Sequence, residues 1–149
     1  MVASAAAVGL VAFVSIATIQ ARAVHRKARE IRPGMTLAEV LERLDGWSMI
    51  NTHPVDRRAI PHGTGPELNG YSGDVYVLTP VRPDGRETDR RKISRAEFQR
   101  RLETLVSDGT PWIVYFSFST IPTDRGILVR FDGTGKVAAD ETLRSRVGG

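Results

Sequence analysis

The uncharged run at the start of the chain constrains the fold more than any other feature. Val2–Ile19 is eighteen residues long and contains no charged side chain. As an α-helix it would be about 27 Å long, close to the ~30 Å hydrocarbon core of a bilayer. A buried helix of a soluble domain seldom combines this length with this position. The sequence therefore predicts that residues 1–24 are a transmembrane anchor or a signal segment.

Two details of this segment favour the anchor. The small-x-small pattern Ala21-Arg22-Ala23 is compatible with signal cleavage before Val24, but no basic residue precedes the apolar run, as a signal peptide requires. Small side chains let transmembrane helices approach closely. The anchor is therefore predicted to pack against another membrane helix through Ala5, Gly9 and Ala12.

A basic cluster follows the apolar run directly. It contains Arg22, Arg26, Lys27 and Arg29. The positive-inside rule places such a cluster, and the domain after it, on the cytoplasmic side. The four side chains are also predicted to contact anionic lipid headgroups. The alternative is a solvated helix end that only sets the topology.

The segment 31–46 predicts a short capped helix. Thr36 and Glu39 have the spacing of a capping box, in which each residue bonds the other's backbone N–H. Met35 and Val40 are placed to close a hydrophobic staple. The helix then carries one apolar stripe, and Gly46 is suited to the left-handed conformation that ends it.

This segment resembles the SmpA/OmlA family of BamE-like small envelope domains. The matching residues are Ile31, Gly34, Met35, Thr36, Glu39, Val40, Leu44 and Gly46. Residues 112–140 add an aromatic strand and a strand ending in Phe131-Asp132-Gly133, which leaves residues 47–111 as an insertion. The resemblance implies helices on a three-stranded antiparallel sheet, a periplasmic domain and a role in envelope assembly. The chain lacks the lipoprotein cysteine typical of the family.

The rest of the chain predicts an α+β domain over residues 25–149. Ser94 and Glu97 form a second capping-box pattern, before an amphipathic helix Arg95–Val106. Alternating apolar residues predict strands at 112–119 and 127–131, with shorter strands at 74–79 and 136–139. The interpretation is a two-layer domain of short helices packed on a 3–4-stranded antiparallel sheet.

No stretch of the sequence carries a catalytic pattern. His53, Asp56 and His62 do not have a recognised metal-ligand spacing, and the chain has no cysteine, so neither a metal nor a cofactor is predicted. The formal net charge of +4 fits acidic partners of several kinds. Basic residues near the second helix are interleaved with acidic ones, so no nucleic-acid partner is expected. No small-molecule substrate is expected either.

A Pro- and Gly-rich loop from His53 to Gly73, together with the exposed edge of the sheet, is the predicted binding surface, because long loops on compact scaffolds often carry function. The predicted partner-binding residues are Trp47, His53, His62 and Tyr71, and Trp47 and Tyr71 are expected to be exposed.

The predicted protein is a non-enzymatic, single-pass interaction domain of the bacterial inner membrane, accessory to a membrane or envelope assembly. Its partners would be membrane lipid and other membrane proteins. The alternative is a single-span accessory subunit of a respiratory, photosynthetic or transport complex, with its domain on the cytoplasmic face.

Overall fold

The structure, a computed structural model, describes residues 2–55, 69–71, 76–78, 91–139 and 145–147. It confirms an α+β fold with an N-terminal apolar helix. The helices are α1 (Val2–Glu30), α2 (Leu37–Arg43) and α3 (Arg95–Val106). The strands are β1 (Met49–Pro54), β2 (Asn69–Tyr71), β3 (Tyr76–Leu78), β4 (Arg91–Ile93), β5 (Trp112–Phe118), β6 (Arg125–Phe131) and β7 (Ser145–Val147).

The main sheet is antiparallel and has three long central strands. Within the described ranges its order is β2-β1-β5-β6-β7, while β3 and β4 form a separate two-stranded ribbon. Strand β5 pairs with β1 through Met49 opposite Ser117, and with β6 through Trp112 opposite Phe131. The prediction of 3–4 strands was therefore too low for the main sheet. The two additional short strands lie at its edges.

One face of the sheet is buried by period-two alternation, as predicted for β5 and β6. Ile127, Val129 and Phe131 of β6 are fully buried. The same face of β5 carries Trp112, Val114, Phe116 and Phe118. Each such side chain contributes roughly 1.5–3 kcal/mol when it leaves water.

Helices α2 and α3 cover this face with the predicted apolar stripes. The buried residues are Leu37, Val40 and Leu44 around α2, with Phe98, Leu102, Leu105 and Val106 in α3. Helix α3 has the bounds that its sequence predicts. Gly46 and Gly109 lie just beyond the two helices at φ of 84° and 91°, the left-handed region that glycine adopts most readily.

The first helix also belongs to the core. It runs without a break to Glu30, well past the predicted end of the anchor at residue 24. Val24, Ala28 and Ile31 are each 5% exposed and join the buried cluster of the domain. The apolar run and the domain are therefore joined by one continuous helix.

The predicted closing strand at 136–139 is wrong in extent. Lys136 and Val137 form only isolated bridges, to Thr36 and Phe131. The reason is that the Val137 backbone donates to Met35 O and accepts from Gly34 N, and so binds the segment before α2. The strand that pairs with β6 over its first three residues is β7.

The predicted loop from His53 to Gly73 is wrong at both ends. Strand β1 continues through His53 and Pro54, because Thr52 and Pro54 keep the inward alternation. The Val55 N–H then donates to Pro111 O at 3.0 Å. Strand β2 takes up residues 69–71 and pairs with β1. Residues 56–68 and 72–73 of the predicted loop lie outside the described residues.

Candidate membrane-proximal site

The N-terminal half of α1 projects from the domain, and from Val8 onward its apolar side chains are exposed. The exposed fractions are 65–70% for Val8, Leu10, Val11 and Ile19. Within the described residues, Val8–Glu30 is the one helix long and apolar enough to cross a membrane, and only 6% of its apolar window is buried. A core helix of a soluble domain would be mostly buried. A signal sequence would satisfy the same length and composition criterion.

The domain contacts α1 from Gln20 onward. The Gln20 side-chain carbonyl accepts a hydrogen bond from the Ile121 N–H at 2.8 Å. One helix face further along buries Val24 and Ala28. The Lys27 ammonium donates to the Asp45 carbonyl and lies 5.8 Å from the centroid of the Phe118 ring. These contacts fix the direction in which the exposed apolar half projects.

The predicted headgroup residues are divided between two faces of α1. Arg22, Arg26 and Arg29 are exposed and lie on the side opposite Val24. Their contact with lipid stays a prediction. Lys27 is half-buried and its ammonium is bound to the domain, because its helical position adjoins the buried face.

A groove of about 300 Å³ runs between α1 and the start of β6. Its apolar part is formed by Phe13, Val14, Ala17 and Ala21, with Thr18 beside them. Arg22, His25 and Arg125 line its basic part. The Arg125 Nε is buried and makes no hydrogen bond to the described part of the chain. The groove is thus apolar along the projecting helix and cationic beside the domain.

One of the predicted partner-binding residues, Trp47, is not on the surface. Trp47 was expected to be exposed, but it is only 7% exposed and packs 6.0 Å from Phe98 between ring centroids. It is a core residue because it follows the Gly46 turn directly into the sheet. His53 lies half-buried in β1, opposite Ile113, and Tyr71 belongs to β2. His62 lies outside the described residues.

The predicted helix-packing residues lie on the projecting part of α1. Gly9 and Ala12 are exposed, and a Cβ built at Gly9 would meet no atom within 4 Å. Ala5 lies on the same helix, in a part whose side chains are not described. The space around Gly9 is therefore free for a neighbouring helix.

The first capping box is confirmed. Glu39 N–H donates to the Thr36 hydroxyl at 3.4 Å, and the Glu39 carboxylate accepts from Thr36 N–H at 2.7 Å. These bonds, the backbone one foremost, hold the pKa of Glu39 below its ordinary value.

The prediction of a second capping box is wrong for one of its two hydrogen bonds. Glu97 N–H donates to the Ser94 hydroxyl at 3.1 Å, as predicted. The Glu97 carboxylate instead pairs with Arg101 at 2.7 Å. Arg101 is four residues further along the same helix, where a cation reaches the carboxylate easily.

Several residues at the base of α1 escaped the sequence analysis. Gln20, Ile121 and Arg125 meet only because the β5–β6 turn folds back onto the helix, a contact that spans 101 residues between Gln20 and Ile121. The available signal was a lone apolar Ile121 in an otherwise polar turn. Among the described residues, no group of three or more His, Cys, Asp or Glu side chains could hold a metal ion.

Comparison with protein-family models, curated proteins and solved structures finds no match to this chain. The SmpA/OmlA resemblance therefore stays a prediction from the residues.

Proposed function

We propose that this protein is a non-enzymatic, membrane-anchored interaction domain, accessory to a membrane protein assembly. The observation that supports it best is the continuity of α1. Residues 8–16 of this helix are exposed and mostly apolar, while its last turns bury Val24 and Ala28 in the domain. A helix shared in this way transmits its orientation in the bilayer to the α+β body. A flexible linker would not do so.

The anchor is proposed to dock on a neighbouring transmembrane helix. Gly9 and Ala12 are one turn apart and face the same direction, with Ala5 a turn earlier. The open space at Gly9 is compatible with close backbone approach. Small residues at such contacts allow the van der Waals packing that drives association within lipid.

The docking contact is tested by Gly9→Leu in the full-length protein. The chain is extracted from native membranes in mild detergent, and the size of its complex is read on a native gel. Val11→Leu is the matched control, since residue 11 is about 200° around the helix from residue 9. We expect Gly9→Leu to release the protein as a smaller species while both variants remain in the membrane. An unchanged complex with Gly9→Leu would refute this docking face.

A second candidate differs in the side of the membrane. Exposed Arg22, Arg26 and Arg29 next to the apolar run favour a cytoplasmic domain, as in a single-span accessory subunit of an inner-membrane complex. The SmpA/OmlA resemblance favours the periplasm. Protease protection of a C-terminal tag distinguishes them. Digestion in spheroplasts supports a periplasmic domain, and digestion only in inverted vesicles supports a cytoplasmic one.

A further inference from the structure

The turn between β5 and β6 lies where α1 changes from apolar to charged. Ile121 is bonded through its N–H to Gln20, which separates Ile19 from the first cationic residue, Arg22. The Ile121 side chain is 41% exposed in a turn whose neighbours Pro122, Thr123 and Asp124 are also exposed. If α1 spans the bilayer, this hydrogen bond holds Ile121 at the level of the lipid headgroups.

The basic end of the groove lies beside this turn. Arg125 begins β6, four residues after Ile121, and lines the groove together with Arg22. The buried Nε of Arg125 has no hydrogen-bond acceptor in the described chain. Arg125 as a whole is only half-buried and lines the groove, so the oxygens of a lipid phosphate in the groove can accept charge-assisted hydrogen bonds from its guanidinium. The apolar lining further along α1 matches an acyl chain.

We propose that the β5–β6 turn is a second membrane contact, in which Ile121 enters the interfacial layer and Arg125 with Arg22 binds the phosphate of an anionic phospholipid. This inference rests on the proposed anchoring by α1. The apolar residue and the two cations occupy the depths at which a bilayer offers apolar and anionic groups. The contact would hold the domain against the membrane and prevent it from pivoting about the end of the helix.

The absence of cysteine makes this contact directly measurable. Ile121→Cys is labelled with the fluorophore NBD in full-length protein reconstituted into vesicles of phosphatidylcholine, with or without phosphatidylglycerol. Lipid carrying a doxyl quencher near its headgroup reports proximity. Thr134→Cys is the control, because exposed Thr134 lies beyond the opposite end of β6, about 23 Å away for seven residues of strand.

We expect doxyl lipid to quench the fluorescence of NBD at residue 121, and to quench it more strongly when phosphatidylglycerol is present. The fluorescence of NBD at residue 134 should not change. In the anionic vesicles, Arg125→Gln should lower about fivefold the ratio of protein whose β5–β6 turn contacts the membrane to protein whose turn does not. Equal and weak quenching at residues 121 and 134 would overturn the proposal.

Carbonate extraction of the same vesicles separates this failure from failure of the anchor. Protein that resists extraction, but has an unquenched residue 121, is anchored without the second contact. Protein that is extracted contradicts the proposed anchoring, and with it the contact that depends on it.

Discussion

Gly126 is fixed by a cross-strand neighbour that the sequence does not identify. It is buried in β6, and a Cβ at this position would lie 2.0 Å from the Tyr115 ring. The ring therefore lies across the strand, in the space that the glycine leaves. The sequence predicts both strands, but Gly126 pairs with Ser117, and the diagonal approach of Tyr115 to Gly126 depends on this register, which a local pattern does not set.

Gly126→Ala is expected to destabilise the domain by about 1 kcal/mol, at the lower end for overpacking, because the tip of the Tyr115 ring can move outward. Urea denaturation followed by Trp fluorescence measures the change. In a Tyr115→Val background the added methyl has room, and the same substitution should cost less. An equal cost in both backgrounds would show that ring contact is not the cause.

Asp132 organises the turn after β6. Its Oδ1 accepts from Thr134 N–H at 2.8 Å, from the Thr134 hydroxyl at 2.7 Å and from Lys136 N–H at 3.4 Å. The Thr134 hydroxyl bond is the largest cause that holds the pKa of Asp132 below its ordinary value. The same turn binds α3 through Gly135 N–H, which donates to Val106 O at 3.0 Å.

The lowered pKa of Asp132 predicts acid sensitivity. A carboxylate with a depressed folded-state pKa stabilises the fold fully above its unfolded value of about 3.9, and this contribution is lost as pH falls through the folded value. Unfolding free energy should therefore decline more steeply below about pH 4 in the parent than in Asp132→Asn, which cannot titrate. Glu39, also with a lowered pKa, should leave residual sensitivity. Parallel pH profiles for the two proteins would contradict this assignment.

At the scale of elements, local patterns predict the helices well and the sheet partly. The caps and stripes of α2 and α3 lie in adjacent residues, so the sequence alone defines them. The pairing of β1 with β5 joins residues such as Met49 and Ser117, distant in the chain, and local periodicity says nothing about it. The inward face of α1 was present in the sequence as Val24, Ala28 and Ile31. The basic residues between them made this inward face hard to recognise, because they favoured the interpretation of a solvent-exposed helix end.

The exposed and buried parts of α1 predict different outcomes for the same substitution at Ile19, in the middle of the helix, and at Ile31, directly after it. Ile31→Ala should cost about 2–4 kcal/mol of domain stability, because it empties a buried site at the end of the helix. Ile19→Ala should leave the domain's stability almost unchanged, since Ile19 is 66% exposed. Urea unfolding in detergent micelles, followed by Trp fluorescence, measures both. Equal costs would mean that the contacts of α1 are not those described.

At the scale of the whole molecule, the candidate site at the base of α1 could not be predicted because it is assembled from distant segments. The sequence indicated the apolar run and the basic cluster, but not the return of Ile121 and Arg125 to the base of α1. Nor could it show that Trp47 is buried against Phe98, a contact made only when α3 covers the sheet. The anchor and the domain together form the surface on which the proposed function depends.

The central claim is that α1 remains intact as both membrane anchor and core helix. It is tested most directly by the intact mass of the protein from carbonate-washed native membranes. The account predicts protein in the membrane pellet, with its N-terminus at Met1 or Val2. Protein released from the membrane with an N-terminus at Val24 would contradict it, since the apolar run would then be a cleaved signal.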